Sequence, residues 1–93
     1  MEHRKVGIVD YGVGNLRSVA NAVRHIGGDV VISSNPSVLG SCRHLILPGV
    51  GSFPQGISAL TDSHLDDFLR DYVTSDRPCL GICLGMQLLM EYI

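Results

Sequence analysis

The chain has little clustered positive charge, no Cys-x-x-Cys pair and no long apolar run. Beyond Arg4-Lys5 its basic residues are scattered, and the formal charge is -2, which argues against nucleic acid or an anionic membrane as a partner. Only four apolar-compatible residues separate Lys5 from Asp10, too few for a signal-peptide core, and no segment approaches a membrane-spanning length. A cytoplasmic protein is expected. The three cysteines, Cys42, Cys79 and Cys83, are odd in number and lack Cys-x-x-Cys spacing, which suggests reduced thiols and no disulfide framework. Cys79 and Cys83 bracket one strand, about 13 Å apart at the usual rise, too far for a shared disulfide or metal.

Two phosphate-binding signatures are also missing. The loop Asp10-Tyr11-Gly12-Val13-Gly14-Asn15 invites a dinucleotide reading, but Arg17 stands where the third glycine belongs and no acid closes the second strand. No Gly-x-x-x-x-Gly-Lys run exists, which excludes a cradle of the nucleotide-hydrolase kind.

What is present is a globular composition, 45% hydrophobic and 17% charged, with four short apolar runs at 6–9, 30–32, 45–47 and 79–82. Helical or turn-forming segments alternate with them, the signature of a βα fold. Leu16, Val19, Ala20, Val23 and Ile26 share one face of the first helix, which Gly27-Gly28 ends. A short helical turn is expected over 37–40 and a weak helix over 55–60. Ser63 is positioned to cap a stronger helix with Asp66 three residues on, its stripe being Leu65, Phe68, Leu69 and Tyr72. The last helix, carrying Met86, Leu88, Leu89, Met90 and Ile93, is apolar nearly all round and expects cover on several sides. The chain stops inside it without glycine, proline or a polar cap. Residues 1–93 are therefore expected to be the N-terminal part of one larger α/β domain, half of a doubly wound, mostly parallel sheet whose C-terminal half is absent.

The run Gly81-Ile82-Cys83-Leu84-Gly85-Met86-Gln87 reads as strand, sharp turn and helix start, with glycines two before and two after the cysteine. This is the geometry with which a nucleophile elbow lifts its reactive atom above a parallel sheet. A helix N-terminus just beyond Cys83 lowers a thiol pKa, so Cys83 is the candidate nucleophile; the competing reading is a small apolar plug. Ligands of open α/β sheets sit beyond the carboxyl ends of the strands. There Pro48-Gly49-Val50-Gly51-Ser52-Phe53 follows the third strand. The amide of Val50 or Gly51, with that of Leu84, is placed to form an oxyanion hole, each donor worth roughly 3 kcal/mol of barrier. The alternative is a plain Gly/Pro turn. A cysteine attacking an amide needs a base, and none of the four histidines suits. His3 lies in the tail, His25 on a polar helix face, His64 in a helix's first turn, and His44 at the amino end of the third strand.

Gly81, Cys83, Gly85 and Gln87 match the Gly-x-Cys-x-Gly-x-Gln turn of the class I, triad-type glutamine amidotransferases, which the chain resembles over nearly its whole length. The Asp10 to Asn15 loop, with Pro48-Gly49-Val50-Gly51-x-Phe53, is most similar to the branch of glutaminase subunits that serve imidazole glycerol phosphate synthases, in histidine biosynthesis. The resemblance implies a flavodoxin-like sheet and no cofactor or metal. It implies that Cys83 attacks L-glutamine to give a glutamyl thioester and ammonia, with Gly49, Gly51 and Gln87 holding the substrate. It also implies that Asp10, Tyr11, Gly12, Gly14 and Asn15 face a cyclase subunit, a (β/α)8 barrel that takes the ammonia within a heterodimer. The glutaminase of such pairs is weak until its partner is loaded, and a flip of the Gly49-Val50 peptide is a natural switch. The His-x-Glu pair that completes the triad has no counterpart in these residues, so the chain alone is expected to lack turnover. Other readings are a glutaminase of another class I synthase, a non-catalytic module docking on a barrel, and a cysteine hydrolase of similar elbow geometry.

Overall fold

The computed structural model describes residues 5–12, 14–49, 52–82 and 84–90. Four strands, β1 (Lys5–Val9), β2 (Asp29–Ser33), β3 (His44–Leu47) and β4 (Cys79–Gly81), fall on the four apolar runs. All pair in parallel in the order β2-β1-β3-β4, with Lys5 opposite Asp29, Val6 opposite His44 and Leu45 opposite Cys79. The helices α1 (Leu16–His25), α2 (Pro36–Gly40), α3 (Phe53–Asp62) and α4 (Asp66–Thr74) make the crossovers between them, and α5 (Leu84–Leu89) follows β4. Among the described residues no helix is long and apolar enough to cross a membrane.

Strand alternation divides the core in two. Val9 of β1 and Leu45 and Leu47 of β3 point to one face, where Leu39, Leu60, Leu65, Leu69, Tyr72 and Leu88 bury them. Ile8 and Ile46 point to the other, where Ala20 and its neighbours on α1 form a smaller cluster. Among the described residues only α1 lies on that second face, and Leu80 is 59% exposed beside an apolar groove of about 510 Å³.

Several helix limits depart from the sequence expectation. The first helix stops at His25, and Gly27 takes φ 92° just beyond, so Ile26 falls outside the buried stripe and is 83% exposed. The helix expected over 55–60 begins earlier, at Phe53, because the Ser52 side chain accepts from the Gln55 amide and Pro54 is tolerated in a first turn. Ser63 does not cap α4. It closes α3, its hydroxyl donating to the carbonyls of Ala59 (2.8 Å) and Leu60 (3.1 Å), while Leu65 occupies the N-cap of α4 with no side-chain bond. His64, expected in a helix's first turn, instead makes the α3–α4 connection at φ 60°. The apolar stripe of α4 lies where expected, with Leu65, Leu69 and Tyr72 buried. On α5 Leu88 is fully buried and Met86 faces outward, as does Met90 just beyond the helix.

Candidate active site

Three backbone segments converge where β1, β3 and β4 end. After β1, the Asp10 amide continues the sheet by donating to the Ser33 carbonyl (2.9 Å), and the Asp10 carboxylate accepts from the Gly12 amide (3.2 Å). Gly12 (φ 84°) and Gly14 (φ 108°) lie in the left-handed region, where a side chain would be strained. Asn15 then caps α1, its side chain accepting from the Ser18 amide at 3.3 Å.

The loop after β3 runs against this one. A Cβ on Gly14 would sit 3.2 Å from the Gly49 nitrogen and 3.3 Å from Pro48 Cβ. Tyr11 strengthens the contact: its hydroxyl donates to the Pro48 carbonyl oxygen, and its ring is buried in the larger core cluster. Burial pushes the Tyr11 phenol up to about 12, so it remains a proton donor at neutral pH.

The third segment is the turn from β4 into α5. The Ile82 amide donates to the Leu47 carbonyl (3.0 Å), and the Gly85 amide donates back to the Ile82 carbonyl (2.9 Å). Neither flanking glycine tolerates a side chain. A Cβ on Gly81 would lie 2.5 Å from Met86 Cα, and one on Gly85 only 1.8 Å from the Leu47 oxygen. Strand end and helix start are packed backbone on backbone, the demand that Gly81 and Gly85 meet.

Of the residues singled out from sequence, Cys83, Val50 and Gly51 lie outside the described residues. Gly49 is buried at the convergence, Leu84 opens α5, and Gln87 lies one turn further along the same helix, exposed. In the 10–15 loop Gly12 and Asn15 are exposed, whereas Tyr11 is turned inward onto Pro48. No described histidine stands on a loop that follows a strand: His25 ends α1, His44 opens β3 and His64 joins two helices. His3 lies outside the described residues. Cys42 and Cys79 are free thiols, the first buried and the second pushed up to about 11 by burial, which suits packing and not nucleophilic attack. Among the described residues no group of His, Cys, Asp or Glu is arranged to hold a metal.

Sequence reasoning missed two bracing groups, one at the site and one at the opposite end of the sheet. One is the Tyr11 hydroxyl, for which an aromatic among loop glycines was the available signal. The other is Arg77, at the entry to β4. Its Nη2 donates to the carbonyls of Gly40 (2.9 Å) and Cys42 (2.7 Å), and its guanidinium lies 4.2 Å from the centre of the Tyr72 ring.

The sequence pattern of the family described as glutamine amidotransferase class-I matches residues 7–93. Imidazole glycerol phosphate synthase subunit HisH of Shouchella clausii (strain KSM-K16) is 48% identical over 86 residues, which cover 92% of this chain and 42% of that protein. The protein of the same name from Methanopyrus kandleri is 52% identical over 87 residues, covering 94% of this chain and 43% of that protein. A solved structure described as a crystal structure of glutamine amidotransferase shares the fold at a TM-score of 0.72 and 22% identity, over 86% of this chain and 42% of that one. The chain thus spans less than half the length of these relatives. The family match over residues 7–93, with the glycine-tight turn from β4 into α5, establishes that the chain belongs to the class I glutamine amidotransferases.

Proposed function

We propose that residues 1–93 are the N-terminal part of a single glutamine amidotransferase domain, and that the whole protein is the glutaminase subunit of an imidazole glycerol phosphate synthase working in the cytoplasm. Likeness to proteins of that name at 48% and 52% identity supports the choice of branch. The observation that carries the chemistry is the exclusion of any Cβ at Gly81 and Gly85, because a turn this tight is what presents a nucleophile at a helix start.

In this reading the Cys83 thiolate attacks the side-chain carboxamide carbon of glutamine, and the amides of Leu84 and of Val50 or Gly51 take up the charge on its oxygen. The C–N bond breaks, the nitrogen leaves as ammonia carrying the proton returned by a base, and a glutamyl thioester remains. Water hydrolyses the thioester to glutamate and restores the thiol. Gly49, Gly51 and Gln87 hold the substrate, and the base comes from the rest of the domain. Ammonia passes to a (β/α)8 cyclase subunit docked on the loop of Asp10, Tyr11, Gly12, Gly14 and Asn15.

A glutamine-like electrophile applied to the full-length protein with its cyclase subunit tests this. Mass mapping should place the label on Cys83 and leave Cys42 and Cys79 untouched, and Cys83→Ser should lower glutamine hydrolysis by at least about a thousandfold. Label on Cys42 or Cys79, or turnover retained by Cys83→Ser, would sink the reading. The 93-residue chain alone should hydrolyse glutamine no faster than a buffer blank.

A further inference from the structure

Tyr11 is an odd residue for a glycine loop. Its neighbours Gly12 and Asn15 are exposed, yet its own side chain is only 5% exposed and packs with the core beneath β1 and β3. The hydroxyl reaches the loop after β3 and donates to the carbonyl of Pro48. That oxygen belongs to the Pro48–Gly49 peptide. Because the proline ring fixes its own φ, holding this carbonyl fixes the peptide plane, and the first freely rotating backbone bonds beyond it are those of Gly49. Gly14 presses on the same two residues, within 3.2 Å of the Gly49 nitrogen for a Cβ built there. The 10–15 loop is itself tied down at both ends, by the Asp10 amide on Ser33 and by the Asn15 cap on α1. An exposed rim and a buried turn are thereby joined through one phenol.

We propose that Tyr11 is a positioning residue: by holding the Pro48 carbonyl its hydroxyl sets the starting geometry of the Gly49-Val50-Gly51 arm and passes to that arm any displacement imposed on the 10–15 loop. The inference rests on the proposed function, in which that arm supplies an oxyanion donor and that loop meets the partner. Tyr11 touches neither substrate nor reacting atoms in this account. Its effect is on where the next peptide begins, and it falls on turnover more than on substrate binding.

Tyr11→Phe tests this cleanly, since it keeps the ring that fills the core and removes only the donor. In the full-length protein, hydrogen exchange is compared between wild type and Tyr11→Phe for the peptide covering 48–52 and for β3. Glutamine hydrolysis is then measured with the cyclase subunit, empty and loaded with its substrate. The expected result is faster exchange over 48–52 with β3 unchanged, and a stimulation factor lowered about tenfold, the scale of one lost hydrogen bond, mainly in kcat with little change in KM. Equal exchange in the two proteins overturns the inference, as does an unchanged stimulation factor. A loss of the same size in both loaded and empty states also overturns it, because a merely structural brace gives that pattern. If the wild-type complex hydrolyses no glutamine, the functional reading fails while the exchange comparison still decides the positioning role.

Discussion

The two ends of the sheet are held together by different means. At the carboxyl end, with the Tyr11 hydroxyl on the Pro48 carbonyl as the exception, backbone lies against backbone: Gly81 on Met86, Gly85 on the Leu47 carbonyl, Gly14 on Gly49. At the amino end, long side chains reach across to carbonyls. Arg77 bonds Gly40 and Cys42, Tyr72 donates to the Cys42 carbonyl at 3.2 Å, and Lys5 reaches the Ser41 hydroxyl at 3.1 Å. In the proposed function the first end brings amides to a small ligand, and the lack of side chains there lets main chains approach. A region that only has to hold its elements together uses side-chain reach. Substitutions should therefore act sterically and abruptly at the first end, and in graded steps at the second.

The largest effect is expected from Gly85→Ala, which puts a methyl group 1.8 Å from the Leu47 oxygen. Relief requires α5 to back away from β3, a loss of at least about 3 kcal/mol in denaturant unfolding. A neutral result would break the comparison at its strongest point. Arg77→Met comes next. It forfeits two charge-assisted bonds and the stacking on Tyr72, about 2–3 kcal/mol, and should leave labelling of Cys83 by a glutamine-like electrophile unaltered in the native baseline. Labelling that falls along with stability would mean that the two ends are not separable. Tyr72→Phe removes one bond to the Cys42 carbonyl, and about 1 kcal/mol should go with it.

The finest handle is alkaline pH. Burial favours the protonated Cys79 thiol and the protonated Tyr11 phenol in the folded chain, at about 11 and about 12. The unfolded chain releases these protons nearer about 8.5 and 10. Their stabilising contribution is thus whole below about pH 8.5 and is lost as pH rises through those folded values. Cys79, at the start of β4, titrates before Tyr11, so chemical denaturation followed from pH 8 upward should weaken first through the amino end. Cys79→Ala should remove the earlier part of the decline; a variant with the unaltered pH profile would contradict the assignment.

Much of this organisation was legible in the residues. Parallel strands read as plain apolar runs, and all four lie where those runs are, including β2 and β4, which are only partly covered. The α1 stripe was readable up to Val23, but not the exposure of Ile26, because periodicity carries on past a helix end that Gly27 imposes. Ser63 misled for a related reason: a serine between two helices can serve either, and back-bonding to Ala59 and Leu60 won over capping α4. The glycines around position 83 signalled a tight turn, and their need is visible in the contacts their missing Cβ atoms would make. Arg77 and Tyr11 were not legible as braces. An arginine before a proline looks like any surface charge, and nothing local reveals that its partners are carbonyls of the α2–β3 connection.

Pairing in this sheet has a consequence for the order of assembly. Lys5 meets Asp29 and Val6 meets His44, so β1 can be flanked on both sides before residue 79 is needed. Among the described residues, strand β4 pairs with β3 alone. During synthesis from the N-terminus all three of these strands are made before the segment that carries Cys83. Pairing of β1 with β2 and β3 thus does not wait for the turn in which the proposed nucleophile lies.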